Sequence, residues 1–439
     1  MGLRWRGRFE GYDASALRRD LVSGSIVGIV AIPLGMAFAI HSGVKPEYGL
    51  YTTIVAGILI SLLGGSKFQI GGPTGAFIPV LFAVVLQYGY ENLLIAGFLA
   101  GMMLVLMGLV RIGGWIKFMP KPVTVGFTAG IAVIIFAGQL PGFLGLTGVE
   151  RHEAFLANMG EIAERLGTTN PYSLTVGGLS LAAILLTPKL LPRVPGSLVG
   201  LLLSSAAAFL LFRDQVATIG SAYGAIPNAL PALRFPELSW HRIETLLLPA
   251  LLIALLGAVE SLLSAVVADG MSGDKHDSNK ELIGQGIANM AAPLFGGIPA
   301  TGAIARTATN IKNGAASPVS GVFHGLVVLL VLLLFAPYAS HIPLAGMAPV
   351  LMTVAWNMSE RRHFAMILRE RSPDSLVLVV TFLLTVFSNL TTAVAAGLAL
   401  TFVLSQGDRL LGAFGRRRRG GGALRVRNSM KMNETLPPE

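Results

Sequence analysis

The sequence predicts an all-α, polytopic membrane protein of fourteen transmembrane segments, two of them short, built as two related halves. Three observations predict it. Hydrophobic residues make up 53% of the chain and charged residues only 13%, against roughly 25% charged in a soluble domain. Many apolar runs are long enough to cross a hydrocarbon core of roughly 30 Å. A short phrase is also written twice: Gly-Gly-Pro-Thr-Gly-Ala ends at Ala76, and Gly-Gly-Ile-Pro-Ala-Thr-Gly-Ala ends at Ala303. The copies stand about half the chain apart, and Pro33 and Glu260 share the same offset.

In chain order the segments fall near 21–41, 48–65, 73–88, 91–111, 122–140, 173–189, 196–212, 246–269, 281–295, 301–313, 317–337, 342–358, 374–390 and 391–412. Turn residues close them, for example Gly113-Gly114 and Thr169-Asn170-Pro171, because glycine, asparagine and proline punctuate helices. The third and tenth are short and open on the doubled phrase. Residues 1–20 form a charged cytoplasmic segment without a cleavable signal pattern. Residues 21–412 form the transmembrane domain, with repeat 1 about 21–212 and repeat 2 about 246–412. Residues 413–439 form a basic, polar cytoplasmic tail. The chain has no cysteine, which excludes disulfides and thiolate chemistry.

Basic residues set the orientation. With both termini cytoplasmic, only six of the 33 Lys and Arg face out (Lys45, Arg151, Arg165, Arg213, Arg234, Arg242), and Arg306 lies inside a segment. An odd number of spans would expose either Arg4, Arg6 and Arg8 or the Arg416-Arg417-Arg418-Arg419 run. The positive-inside bias therefore favours an even number. The expected location is the cell (inner) membrane, with many passes. The Arg416–Arg419 run reads as a topological anchor, with contact to anionic lipid as the sharper alternative. The net charge of +10 is scattered over loops, so no nucleic-acid partner is expected.

The doubled phrase locates a site. A helix start leaves N–H groups unpaired and carries partial positive charge. At membrane depth it is tolerated only when buried in protein or facing a wet cavity. Thr74, Gly75 and Ala76 open one such start, and Thr301, Gly302 and Ala303 the other. Each is expected to supply a capping hydroxyl and a glycine that lets a ligand approach the backbone. Paired, broken hydrophobic segments at matching places in two halves point to a transporter's central site, and facing helix N-termini suit an anion. Ordinary Gly/Pro kinks are the alternative.

Two ionisable residues join it. Glu260 sits in an apolar run with no other charge for about two turns either way. Such a residue is costly in a bilayer and by default functional. Its surroundings favour the neutral carboxyl, suiting it to carry a proton; alternatively it coordinates sodium together with Ser264. Ile304, at the start of the second short helix, is grouped with these two at the coupling-ion position. Arg306, one turn past Thr301-Gly302-Ala303, places a forked donor beside the anion, with a salt bridge to Glu260 as a competing or compatible role. Phe77 either lines the ligand space or packs. Gln69, Gln285, Asn289 and Asn310 read as interhelical hydrogen-bonding residues, worth about 0.6 kcal/mol each.

At these residues the chain resembles the SulP family, the sulfate permeases and related anion transporters. The phrases that carry the resemblance are Val27-Gly-Ile-Val-Ala-Ile-Pro33-Leu-Gly-Met-Ala37, Pro73-Thr-Gly75, Pro299-Ala-Thr-Gly-Ala-Ile-Ala-Arg306-Thr-Ala-Thr-Asn310 and Glu281-Leu-Ile-Gly-Gln-Gly-Ile-Ala-Asn289. It covers roughly residues 15–412. The resemblance implies two inverted sevens, with segments 1–4 and 8–11 as a core domain and 5–7 and 12–14 as a gate domain. It implies half-helices at segments 3 and 10 and an elevator-like cycle. Its partners would be a small inorganic or carboxylate anion (sulfate, bicarbonate, chloride or a dicarboxylate), a lipid membrane and a second copy in a homodimer. No cofactor is expected beyond a coupling proton or sodium ion. Family members usually continue into a cytoplasmic STAS domain, and a membrane domain without one is the expectation here. The stretch from Asp274 to Gln285 is similar to the loop of cyanobacterial sodium–bicarbonate symporters. Those carry Asp where Glu260 stands and lack the arginine at Arg306.

The resulting expectation is a proton- or sodium-coupled secondary transporter, not an enzyme, with the anion between the starts of segments 3 and 10. An uncoupled channel or exchanger is the alternative within transport, against which Glu260 argues. From another class, Gly270-Met-Ser272-Gly273 matches the Gly-x-Ser-Gly of an intramembrane serine hydrolase, with His324 in a later segment. Ser272 lies among Asp269, Asp274, Lys275 and His276, a solvated setting, and a nucleophile needs its base within hydrogen-bond reach.

Overall fold

In a computed structural model of the chain, residues 12–114, 120–192, 194–229, 232–237 and 239–388 are described, with scattered residues between 392 and 403. The first half begins with α1 (Ala14–His41) and α2 (Pro46–Leu63). A two-residue strand β1 (Gly71–Gly72) and one tight turn (Gly75–Phe77) lead into α3 (Ile78–Tyr88), followed by α4 (Tyr90–Leu109) and α5 (Lys121–Gly138). Then come the short α6 (Leu140–Leu144) and α7 (Phe155–Arg165), α8 (Pro171–Leu190), α9 (Gly196–Leu211) and the short α10 (Ile219–Tyr223). The second half runs α11 (Trp240–Ser272), α12 (Ser278–Leu294), strand β2 (Thr301–Gly302), α13 (Ile304–Lys312), α14 (Val319–Ala339), α15 (Leu344–Met358), α16 (Arg361–Arg369) and α17 (Pro373–Phe387).

Each expected segment up to 374–390 holds a helix. Segment 391–412 lies largely outside the described residues, as do the Arg416–Arg419 run and Arg4, Arg6 and Arg8. The boundaries move most where caps extend a helix. Asp13 accepts the Ala16 N–H at 2.7 Å, so α1 starts within the stretch expected to be a tail. Ser239 accepts the Arg242 N–H at 3.3 Å, starting α11 six residues early. With 33 residues α11 is about 50 Å long at 1.5 Å per residue, well beyond the bilayer core. By contrast α13 has nine residues, about 13 Å, and cannot span.

The packing repeats with inverted symmetry. Helix α1 lies on α14 as α11 lies on α4, and α2 lies on α14 as α12 lies on α4. In the other domain α5 packs on α17 as α15 packs on α8. The described helices thus form two packing groups, α1–α4 with α11–α14 where the core is expected, and α5, α8, α9, α15 and α17 where the gate is expected.

Two buried carboxylates anchor the connections beside the half-helices. Glu281, fully buried, accepts the N–H groups of Gly65 at 2.8 Å and Ser66 at 3.0 Å. It also accepts the side-chain amides of Gln69 at 2.8 Å and Gln285 at 2.9 Å. Asp20 accepts Ala316 N–H at 2.6 Å, Ser317 N–H at 3.1 Å and the Ser317 hydroxyl at 2.6 Å. Charge-assisted bonds of this kind are about twice as strong as neutral ones.

Candidate functional site

The two copies of the doubled phrase meet. β1 and β2 pair antiparallel, with Gly71 opposite Gly302 and Gly72 opposite Thr301. The Ala303 N–H donates to Ile70 O at 2.8 Å, and the Ile70 N–H donates to the Thr307 hydroxyl at 3.0 Å. Extended backbone at membrane depth must be satisfied inside the protein, and here each half-helix approach satisfies the other. Side chains complete the junction. Asn289 brackets Ala300, donating to its carbonyl and accepting from its N–H, both at 2.8 Å. Asn310 donates to Phe68 O at 3.0 Å and to the Ser320 hydroxyl at 2.9 Å, and accepts from Ser23 at 2.6 Å. Gln69 donates to Ser261 O at 3.2 Å as well as to Glu281. The polar residues read as helix glue thus hold the crossing strands.

The two threonines do not cap. Thr74 occupies the N-cap of the first turn, yet its hydroxyl makes no cap bond and is buried without a partner among the described residues. Thr301 lies before the N-cap of α13, which is Ala303, again without a side-chain cap. Its hydroxyl turns instead to α11, donating to Gly257 O at 3.1 Å and lying 2.7 Å from the Ser261 hydroxyl. Strand pairing has drawn Thr301 away from the helix start. Both starts consequently present uncapped, positive N–H ends.

One face of α11 carries the site. Gly257, Glu260, Ser261 and Ser264 follow helical spacing. Ser261 also accepts the Gly302 N–H at 3.2 Å, and Ser264 donates to the Thr307 hydroxyl at 3.2 Å. Ser261 and Thr307 are the residues that sequence reasoning passed over; their positions beside Glu260 and Arg306 were the available signal. The Glu260 carboxylate is buried at 6% exposure and makes no hydrogen bond or ion pair among the described residues. Phe77 is fully buried, and its ring would lie 3.3 Å from a Cβ on Gly257, so it packs on α11. Ala76 is fully buried and Ala303 nearly so, while Ile304, the first residue of α13, is half-buried.

Arg306 crosses between the halves. Its side chain, 3% exposed, donates through Nη2 to Pro73 O at the entrance to the first half-helix. Its Nη1 is buried without a partner among the described residues. It forms no ion pair with Glu260 among the described residues. Gly72 makes room for it: a Cβ there would stand 2.7 Å from Arg306 Nη1, and φ at Gly72 is +150°. Gly75 faces the gate, since a Cβ would meet Ile135 Cδ1 at 3.1 Å and Met358 Sδ at 3.2 Å.

The hydrolase arrangement does not form. The Ser272 hydroxyl donates to Ala268 O at 2.7 Å. His324 is buried in α14 against Gly57, and neither ring nitrogen has a hydrogen-bond partner among the described residues, so it serves no serine as a base. His276 instead bridges Asp269, at 2.7 Å, and Ser278, at 2.9 Å. With Lys67 and Asp274 3.2 Å apart, it ties the α11–α12 connection to the residues before β1.

Residues 17–381 match the Sulfate permease family. The putative sulfate transporter YvdB of Bacillus subtilis is 63% identical over 401 residues, covering 91% of this chain and 76% of that protein. The bicarbonate transporter BicA of Picosynechococcus is 32% identical, covering 89% and 70%. Among solved structures, the transmembrane domain of a cyanobacterial bicarbonate transporter BicA superposes with a TM-score of 0.78 at 29% identity, covering 86% of this chain and 97% of that one. The murine Solute Carrier 26 family member A9 anion transporter, in its inward-facing state, shares the fold at TM-score 0.81 and 21% identity, covering 89% and 69%.

Proposed function

From the premise that the chain belongs to the sulfate permease family, we propose that it is a secondary active transporter of a small oxyanion, with sulfate the first substrate to test. The observation that carries this reading is the meeting of two uncapped half-helix starts, with Arg306 Nη1, unpartnered among the described residues, beside them. Helix N-termini supply N–H donors and positive potential, and a guanidinium matches an oxyanion's geometry. The 63% identity to a putative sulfate transporter favours sulfate; the BicA relatives keep bicarbonate as the second candidate, and dicarboxylates as the third.

Glu260 is the coupling residue in this proposal. It lies on the α11 face that holds the second strand, next to Ser261 and one turn from Ser264. A proton on its carboxyl, or a sodium ion beside it, would link charge to the anion's occupancy. The separation into a core that holds the site and a gate that covers Gly75 supports an elevator-like cycle. The protein would work as a homodimer in the cell membrane with cytoplasmic termini.

The test is purified protein in liposomes, with labelled sulfate, bicarbonate and a dicarboxylate offered under imposed proton or sodium gradients. Gradient-dependent accumulation of one of them is expected. Absence of uptake for all three would sink the proposal, and unitary currents would replace it with a channel.

A further inference from the structure

A second feature lies away from the helix starts, on the face where α1 and α3 end. A cavity of about 380 Å³ opens between α3, α5, α11 and α17. Its depth is apolar, with Ile78, Phe82, Ile135 and Leu252 among the walls. Its mouth is polar, lined by His41, Arg151, His152 and Glu153. Ile78 immediately follows Phe77, and Ile135 also covers Gly75, so the cavity ends one side chain short of the first half-helix start.

The charges at the mouth are unevenly matched. His152 lies 3.9 Å from Glu161, which Arg165 engages at 3.2 Å. His41 faces Ala37 O through Nδ1 at 2.8 Å. Arg151 donates from Nη1 to Ile40 O at 3.2 Å and forms no ion pair among the described residues. A carbonyl at a helix C-terminus orients this guanidinium without neutralising it.

We infer that this cavity is an antechamber for small anions and that Arg151 is the cation that draws them in. The inference rests on the transport reading and on this face being the outer one. A cleft with low-dielectric walls focuses the field of a charge held at its mouth and raises the local concentration of counter-ions. The bond to Ile40 O holds the Arg151 guanidinium there, whereas Glu153, the acid at the same mouth, is exposed and without a hydrogen bond among the described residues. The remaining donors of Arg151 stay available to an oxyanion, and Ile78, Phe82, Ile135 and Leu252 make the walls below largely apolar. Arg151 is thus a recruiting residue, distinct from the groups that hold the anion at the strands.

The test uses the absence of native cysteine. Thr245, which lines the cavity and is exposed, is changed to Cys in the full chain and reconstituted in liposomes. Membrane-impermeant methanethiosulfonates carrying either a sulfonate or a trimethylammonium group are then reacted with it. The sulfonate reagent should react faster than the cationic one, and Arg151→Gln should slow it about 10-fold, whereas Arg151→Lys should keep most of the preference. A ratio unchanged by Arg151→Gln, or no labelling from either side, overturns the antechamber. In parallel, Arg151→Gln should raise the KM for external sulfate with kcat retained, and an unchanged KM in active protein overturns the recruiting role. If the parent protein moves no anion, the transport reading fails while the labelling ratio still decides the cavity.

Discussion

Arg306, on the second half-helix, donates to the carbonyl of Pro73, at the threshold of the first. One guanidinium therefore bridges the two repeats with one arm and leaves the other, Nη1, buried and unpartnered among the described residues. Polar groups buried without partners cost about 1–3 kcal/mol, so the arrangement is stabilised whenever an oxyanion accepts from that arm. The repeats are alike in backbone and unlike in charge.

Replacing Arg306 with Gln should cut anion uptake on the order of 100-fold, as for loss of one preorganised donor to an anion. It should also abolish the rise in melting temperature that sulfate gives the parent protein. Arg306→Lys keeps the charge but loses the fork, and should recover only part of both. Undiminished sulfate uptake by the Gln variant would remove Arg306 from the site.

Glu260→Gln preserves shape and removes the titratable charge. Accumulation against a gradient should vanish, while sulfate–sulfate exchange or sulfate-induced stabilisation persists. The measurement is tracer uptake with and without an imposed proton or sodium gradient. Gradient-driven accumulation that survives in the variant would exclude Glu260 as the coupling group.

The doubled phrase made the site legible because a broken apolar run at half-chain spacing has few structural meanings. Asn289, Asn310 and Gln69 were legible for a related reason: amides inside apolar helices must find partners. The strands β1 and β2 were not. Two residues carry no periodicity, and each strand's partner lies in the other half of the chain. The turn of Thr301 toward Ser261 was equally hidden, since a hydroxyl at a helix start satisfies a capping pattern until tertiary contact offers a better acceptor. Glu281 read as part of a family phrase, and only the fold shows four donors converging on it. The antechamber is assembled from helices of both halves and the loop before α7, so no single stretch of sequence announces it.

Gly72→Ala tests the crossing itself. The new methyl would stand 2.7 Å from Arg306 Nη1, at a φ of +150° that residues with a Cβ rarely adopt. Strain of this kind costs about 1–3 kcal/mol and displaces Arg306, so melting temperature and uptake should fall together. Gly178→Ala is the control: it lies within α8 with nothing within 4 Å of a Cβ. It should be neutral or stabilising by about 0.5–1 kcal/mol, because glycine is the weaker helix former. Equal behaviour of the two variants would contradict the strand geometry.

Glu281→Gln replaces an acceptor of four hydrogen bonds with a group that must turn its own N–H₂ toward some of those donors. Bonds to a charged acceptor contribute about 1.5–3 kcal/mol. The variant should lose several degrees of thermal stability, and amides of Gly65 and Ser66 should exchange faster. Sulfate should still raise its melting temperature, because Glu281 anchors the approach to β1 without reaching the helix starts. A variant as stable as the parent would show that the anchor is dispensable.

Ile135 offers the sharpest reading of how the two spaces communicate. Its side chain lines the antechamber and would touch a Cβ on Gly75 at 3.1 Å, so it stands between the cavity floor and the first half-helix start. It belongs to α5, whereas Gly75 opens the first half-helix, and an anion moving from the cavity to that start would have to break the contact. Shortening it to Ala removes the plug at a cost of about 2–5 kcal/mol for a buried Ile, while Trp thickens it. In the cysteine-free chain, Ala76→Cys reports on the barrier: the sulfonate thiol reagent should label it slowly from the outer face in the parent and markedly faster with Ile135→Ala. Ile135→Trp should suppress both labelling and uptake without weakening sulfate-induced stabilisation measured in detergent, where the ion has access to both faces of the protein. Labelling of Ala76→Cys at the same rate in all three backgrounds would mean that the anion reaches the half-helices by another route, and Ile135 would be only a packing residue of the gate.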